Sequence, residues 1–389
     1  MDLRHTEADE DFRRELTTWL DANLPQDMRE SAFWADLSDT EQFDARRTWE
    51  KSKAAAGFAG IAWPTEYGGR GGTPTMKAIY DEEMAKANAP HTVNPLGLAF
   101  LAPTVMALGT EQQKQDIIKP LLHCETIWCQ GFSEPDSGSD LASLSTTAVL
   151  DGDEWVLNGS KAFITNCGTD ITSIVTVTAR TDDGISAFVV PAGTPGMIIE
   201  PAYDKLGWHA SDTHGITFVD CRIPAENLLG APGKGFRNFL SILDDGRIAI
   251  SALALGSARA CLEASVEYAR QRHAFGGPIG RFQGLAFQLS DLAVQVENAY
   301  NLTYKAAWLK DQGRPIGQAA AMAKLYTTDE AQQVIDAAVQ LFGGLGVVSG
   351  HPVERLYREI RALRIYEGAS EVQKIVIARQ VLAGLGGGV

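Results

Sequence analysis

The spacing of apolar positions changes twice along the chain. Up to about residue 125 it is helical. "DEDFRRELTTWLDANLP" carries one apolar stripe and stops at Pro25, and "KAIYDEEMAKANAP" and "TEQQKQDIIKPLL" return to the same period, the last with Thr110 as its N-cap. From about 126 to 234 the period shortens. "TSIVTVTAR", "ISAFVVP" and "GITFVDCRIP" are β-branched or aromatic runs bounded by turn residues, and Asn158-Gly159 inside "EWVLNGSKAFIT" predicts a hairpin turn. From about 235 three long alanine-rich helical patterns follow, "RIAISALALGSARACLEASVEYARQR", "GLAFQLSDLAVQVENAYNLTYKAAWLKDQ" and "QAAAMAKLYTTDEAQQVIDAAVQLF". With the helices around residue 367 they predict an antiparallel bundle. The reading is a multi-domain α+β chain: a helical domain over 1–125, a mainly antiparallel β-domain over 126–234 and a helical bundle over 235–389. This order excludes a Rossmann fold, which alternates strands and helices throughout.

One joint in the last region stands out. In "RALRIYEGASEVQ", Leu356, Ile360 and Leu363 end one helical pattern, and Ser370 and Gln373 have the spacing of a capping box that opens the next. Glu367 falls between them beside Gly368, which permits backbone angles that other residues resist. The reading is a short, sharply shaped joint carrying one carboxylate, which suits a surface loop or an active site.

The chain has 389 residues and a net charge of −15, with no long basic block, which argues against nucleic-acid binding. An anionic ligand would need a locally positive pocket against that background. Five cysteines form no CxxC pair and seven histidines show no metal-ligand spacing, which points to a reducing, intracellular compartment and no structural metal. "MDLRHTEADEDFRREL" is charged and helical in pattern, unlike a signal peptide, and no apolar run reaches membrane-spanning length. "FGGLGVVSG" fails the dinucleotide fingerprint at Ser349, "GAPGKGF" has the wrong spacing for a P-loop, and "GFSEP" lacks the closing glycine of a nucleophile elbow.

Four segments could carry chemistry, and each also fits an ordinary structural role. "WCQGFSEPDSGSD" offers hydroxyls and backbone N–H groups to a flat polar edge, or is simply a turn-rich connection. In "SKAFITNCG", Phe163 and Thr165 share one strand face, an aromatic body beside a hydroxyl, or a core phenylalanine. "ARQRHAFGGPIGRFQ" sets Arg270, Arg272 and Arg281 around a glycine-rich turn with Phe275 and Phe282, which suits phosphate or a solvated loop. "DDGRIAIS" places Arg247 at the start of a long apolar helix, where a charge needs a partner or water.

Taken together, "GFSEPDSGSD", "LNGSKAFITN", "DKLGWHASDTHGITFVDCRIPAENLLG", "YARQRHAFGGPIGRFQ" and "RIYEGASEVQ" resemble the acyl-CoA dehydrogenase family in order and spacing, from near residue 7 to near 383. The resemblance implies a helical N-terminal domain, a middle β-barrel and a C-terminal four-helix bundle, FAD as cofactor, and a homotetramer, taken here as cytoplasmic. It implies insertion of a trans double bond between the α and β carbons of an acyl-CoA, with electrons passing to an electron-transfer flavoprotein. Glu367 matches the family's base. An alternative position, just before the arginine of the long helix, is Gly246 here, so no second carboxylate competes. Arg247 matches the arginine that organises the base and the CoA end. Ser139, Asp244, Arg247 and Gly368 fall on the substrate side. By the same matching Phe132, Ser133, Ser139, Phe163 and Thr165 line the flavin. Arg272, Phe275, Gln283, Gln340, Gly343 and Gly344 hold its adenine and pyrophosphate end from a neighbouring subunit, and Ala369 touches the cofactor. Ala369 and Ser133 stand where threonine is common, and Gln130 where an aromatic or apolar residue is common. The alternatives are a relative acting on a carrier-protein thioester or using O₂, and a non-catalytic subunit of a mixed tetramer. The last would lose the base or the flavin residues, and both sets are present.

Overall fold

Capping side chains open several of the helices. In this computed structural model, which describes residues 5–30, 33–34, 36–90, 92–209 and 211–384, Thr6 and Asp9 form a reciprocal capping box at the start of α1 (Glu7–Asn23), whose Phe12, Leu16 and Leu20 are buried. The expectations for the first four residues, for Ala210 and for the glycine-rich end fall outside those residues. After α2 (Asp39–Ala55), Thr73 caps α3 (Pro74–Lys86), with Pro74 in its first turn. A π-type turn over Gly97–Leu101 runs into α4 (Ala102–Leu108). Thr110 caps α5 (Glu111–Leu122) as expected, and Gln113 completes a second capping box there.

Seven strands follow: β1 (Ile127–Gly131), β2 (Thr147–Asp151), β3 (Glu154–Thr165), β4 (Thr172–Thr181), β5 (Gly184–Pro191), β6 (Met197–Ala202) and β7 (Thr213–Pro224). They form one sheet in the order β1-β4-β2-β3-β7-β6, with β5 also on β4. Pairing is antiparallel except where β4 meets β1 and β2. Ile127, Leu157, Val175, Val177, Phe188, Ile216 and Phe218 fill its core. Asn158-Gly159 is not a hairpin turn. The turn is Gly152-Asp153, closed by the Asp151–Glu154 pair. Asn158 and Gly159 lie inside β3, where the register against β7 shifts. There Asn158 Oδ1 accepts from Asp220 N at 2.8 Å. Gly159 has φ 141°, and a Cβ on it would come within 2.6 Å of Thr146 Oγ1. Asn-Gly here serves a bulge and a close approach.

The chain then forms α6 (Gly235–Gln271), a short β8 (His273–Ala274) and β9 (Gly277–Pro278) hairpin, α7 (Gln283–Asp311), α8 (Gly317–Phe342), α9 (Pro352–Ile360) and α10 (Ser370–Gly384). The helix that carries Arg247 starts at Gly235 rather than beside it, because "FRNFLSIL" continues the apolar period upstream. The stretch Asp244–Gln271 of α6 is long and apolar enough to cross a membrane by length and average composition alone, though charged residues interrupt its apolar run. Its Ala252, Ala254, Leu255, Ala258 and Cys261 are buried within the protein.

The chain divides into two compact units. One comprises Met1–Thr40, Gly72–Pro90 and Asp244–Val389, the other Glu41–Gly71 and His91–Leu243. The N-terminal helices are thus shared between them. In the first unit Glu82 of α3 is fully buried and paired with Arg259 and Tyr304, and Arg13 pairs with Glu83. Gly256 of α6 lets the backbones close up: a Cβ there would lie 2.5 Å from the Glu82 carbonyl.

Candidate active site

In the first unit, the joint between α9 and α10 is shaped as its sequence suggests. After a 3₁₀ turn over Arg361–Arg364, Glu367 and Gly368 are both left-handed, with φ 55° and 84°. A glutamate in that region is strained and persists only where its surroundings hold it. Ser370 and Gln373 do not form the expected capping box. Ser370 lies within α10 and its hydroxyl bonds Asp329 at 3.1 Å. Gln373 instead donates to the carbonyls of Glu367 and Gly368, at 3.1 and 2.8 Å. Its side chain is wholly buried, and two strained carbonyls need a donor more than a helix end near solvent does.

The Glu367 carboxylate has one fully buried oxygen, Oε2, with no hydrogen-bond partner. Burial pushes its pKa up to about 7, against the opposing pull of Lys324 and Arg247. Its backbone N–H has no acceptor among the described residues. Arg247 is buried and ion-paired to Asp244, while its Nε lacks a partner. Burial raises the Asp244 pKa and Arg247 opposes the rise. Ala369 contributes the carbonyl that accepts from Gln373 N at 3.0 Å. Glu367, Gly368, Ala369, Arg247 and Asp244 therefore belong to one unit, with a carboxyl group near neutrality and two cations acting on it.

The same unit carries a second group. Arg272 follows α6, is exposed, and has no ion pair among the described residues. Phe275, on the β8–β9 turn, has φ 49° and is 90% exposed. Arg281, by contrast, is spent on the turn itself, donating to the carbonyls of Phe275 and Gly276 and lying over the Phe282 ring. Gln283 opens α7, exposed. Gln340 is exposed near the end of α8, and Gly343 closes that helix at φ 61°, with Gly344 exposed beside it. Stacking of Tyr268 on Phe342, centroids 4.5 Å apart, brings the ends of α6 and α8 together.

In the other unit the loop after β1 and the bulged end of β3 meet. Ala162 N donates to Ser133 O at 2.9 Å. Lys161 pairs with Ile216 and Ile164 with His214, so β3 carries one extra residue. The bulge puts Phe163 at φ 60° and leaves its ring 66% exposed against Tyr203, centroids 5.1 Å apart. Ile164 points inward and Thr165 is half-buried on the Phe163 side. The hydroxyls of Ser133, Ser139 and Thr165 have no hydrogen-bond partner among the described residues. The Phe132 ring is part of the apolar core, near Trp128 and Leu229.

Family models match the chain almost throughout: acyl-CoA dehydrogenase N-terminal domain over 6–125, middle domain over 129–221 and C-terminal domain over 233–382. The chain belongs to the acyl-CoA dehydrogenase family. It is 40% identical to the mitochondrial short-chain specific acyl-CoA dehydrogenase of Rattus norvegicus over 390 residues, 96% of this chain and 94% of that protein. The solved butyryl-CoA dehydrogenase of Megasphaera elsdenii is 35% identical, with TM-score 0.84 over 98% of this chain and 100% of that one. A glutaryl-CoA dehydrogenase of Mycobacterium smegmatis solved with FADH2 is 26% identical, with TM-score 0.86 over 97% and 95%.

This acyl-CoA dehydrogenase is therefore an FAD-dependent oxidoreductase acting on a CH–CH group, with helical terminal parts and a sheet-rich middle. Its residues fit the cofactor. In one unit an exposed ring held in a strained conformation and three hydroxyls without partners among the described residues, and in the other a guanidinium with no ion pair, are each groups of the kind that a flavin dinucleotide would satisfy. Sequence reasoning missed the pair that sets this geometry. Lys161 and Glu134 are both buried, and Lys161 Nζ donates to Glu134 Oε1 at 2.8 Å and to Phe132 O at 3.2 Å. Burial raises the Glu134 pKa, but hydrogen bonds from Lys161, Thr146 and Ser145 outweigh it and hold the group at about 2. The available signal was slight: Lys161 falls inside a strand pattern, whereas Glu134 sits between Ser133 and Pro135 in the polar loop after β1.

Proposed function

We propose that this enzyme desaturates short acyl-CoA thioesters, with Glu367 as the base that removes the α-proton. The observation that carries this reading is the buried, partnerless Glu367 Oε2 with a pKa near 7. At neutral pH such a carboxylate is substantially ionised, yet poorly solvated and basic enough to take a weakly acidic proton. The free Glu367 N–H can donate to the thioester oxygen as negative charge develops there. Arg247 and Asp244 organise the CoA side next to the base, with Gly368 and Ser139 completing the substrate contacts. When bound, FAD supplies the acceptor for the β-hydrogen as hydride. Phe163, Thr165, Ser133 and Ser139 hold its ring end, with Phe132 and Ala369 bordering it. Arg272, Phe275, Gln283, Gln340, Gly343 and Gly344 of a neighbouring copy hold its phosphate and adenine end. The assembly is then a homotetramer. Supporting it, Phe275, Leu345, Val347 and Val348 are exposed apolar residues on the bundle unit. The compartment is cytoplasmic, the acceptor an electron-transfer flavoprotein and the role fatty acid metabolism. The short-chain assignment draws on the names of the rat and Megasphaera relatives.

The test is anaerobic flavin bleaching by CoA thioesters of graded length and branching. The expected result is fastest bleaching near four carbons. Bleaching only by a carrier-protein thioester, or by none, would contradict the proposal.

A further inference from the structure

Lys324 lies in the first half of α8 and is wholly buried. Its Nζ donates to the Gly368 carbonyl at 2.8 Å. Gln373, equally buried, donates to the same oxygen and to the Glu367 carbonyl. Two buried donors thus grip two consecutive left-handed residues. The fit is close, since a Cβ on Gly368 would come within 2.6 Å of Gln373 Nε2. A buried ammonium is costly without compensation, and a carbonyl alone does not neutralise it.

We propose that Lys324 is a positioning residue for Glu367: through the Gly368 carbonyl it fixes the joint that carries the base, and its ammonium favours the ionised carboxylate. The inference rests on Glu367 being the base. Lys324 faces Glu367 and Asp329 as anions and Arg247 and Arg364 as cations. Glu367 faces Lys324 and Arg247. Burial draws the lysine down to about 8, with Glu367 and Asp329 opposing. The lysine is thus still charged at neutral pH, and its removal leaves Arg247 alone to hold the base ionised.

The experiment uses FAD-loaded enzyme and measures the rate of anaerobic flavin reduction by butyryl-CoA against pH. In Lys324→Met the rising limb moves up by about one pH unit or more. The rate at pH 7 then falls at least about fivefold, and the deficit narrows by about pH 9. Lys324→Arg keeps the charge and leaves the limb in its wild-type position. A merely structural role would lower the rate by one factor at every pH, and that outcome, or an unshifted limb in Lys324→Met, overturns the proposal. Should the Met variant lose FAD, Lys324→Gln keeps a donor for Gly368 and removes only the charge, so it carries the same test. Glu367→Gln is measured in parallel. If it still reduces flavin, the base assignment fails. If it is inert while the Lys324 variants show no shift, only the positioning role fails.

Discussion

Replacing Lys161 by Met should loosen the loop after β1 and the bulged end of β3 more than any conservative change on the surface of the sheet. Methionine keeps the volume of the lysine stem but removes the charge. Glu134 is 4% exposed and accepts from Lys161 Nζ at 2.8 Å, Ser145 N at 2.6 Å, Ser145 Oγ at 2.7 Å and Thr146 N at 3.0 Å. Removing one partner of a buried ion pair costs about 3–5 kcal/mol, because the other charge is left uncompensated. Three donors remain on Glu134, which places the expected cost near the low end, about 3 kcal/mol. The Phe132 carbonyl also loses its 3.2 Å bond, freeing the loop that carries Ser133. Urea unfolding followed by flavin release and by circular dichroism measures the loss. A double-mutant cycle with Glu134→Gln isolates the pair, since the double variant buries no net charge and should recover at least about half of the sum of the two single losses. A Lys161→Met enzyme within about 1 kcal/mol of wild type would refute the reasoning, as would strict additivity of the two changes.

Other outcomes follow from the same geometry. Glu134 sits below its ordinary pKa of 4.5, at about 2. The stability it contributes is complete above 4.5 and lost as pH falls toward 2, so acid-induced flavin release should show a limb in that window that Glu134→Gln lacks, and an unchanged limb would contradict this. Phe163→Ala should lower FAD retention, whereas Thr165→Val should slow flavin reduction with less effect on retention, because one hydrogen bond is worth about 1 kcal/mol net. Identical effects from the two, read by gel filtration and stopped-flow, would count against that division. Arg272→Ala should reduce both FAD occupancy and oligomer stability in analytical ultracentrifugation at the flavin wavelength, and a wild-type monomer saturated with flavin would sink the shared-site assignment.

The helical termini and the strands were legible because their signals are local. Thr110 caps α5 where the sequence places it, and Gly368 marks the joint that holds Glu367. What escaped depends on partners far along the chain. Lys324 on an alanine-rich helix reads as a solvated lysine, and only its contact with Gly368, 44 positions away, shows otherwise. Ser370 and Gln373 have capping-box spacing, yet Asp329 and two strained carbonyls claim their side chains. Asn158-Gly159 reads as a turn by composition, whereas the cross-strand contacts of Asp220 and Thr146 make it a bulge. The sharing of the N-terminal helices between two units rests on pairs such as Glu82 with Arg259, which no periodicity announces.

The most direct test of the account is the Glu367→Gln enzyme mixed anaerobically with butyryl-CoA and followed at the flavin absorbance. The amide is nearly isosteric, and the Lys324 and Gln373 side chains that donate to the Glu367 and Gly368 carbonyls are untouched, so the protein should fold and stay yellow. No bleaching is expected at any pH, with the rate down by at least about a thousandfold, within the range that general-base catalysis contributes. Bleaching at near the wild-type rate would show that another group takes the α-proton.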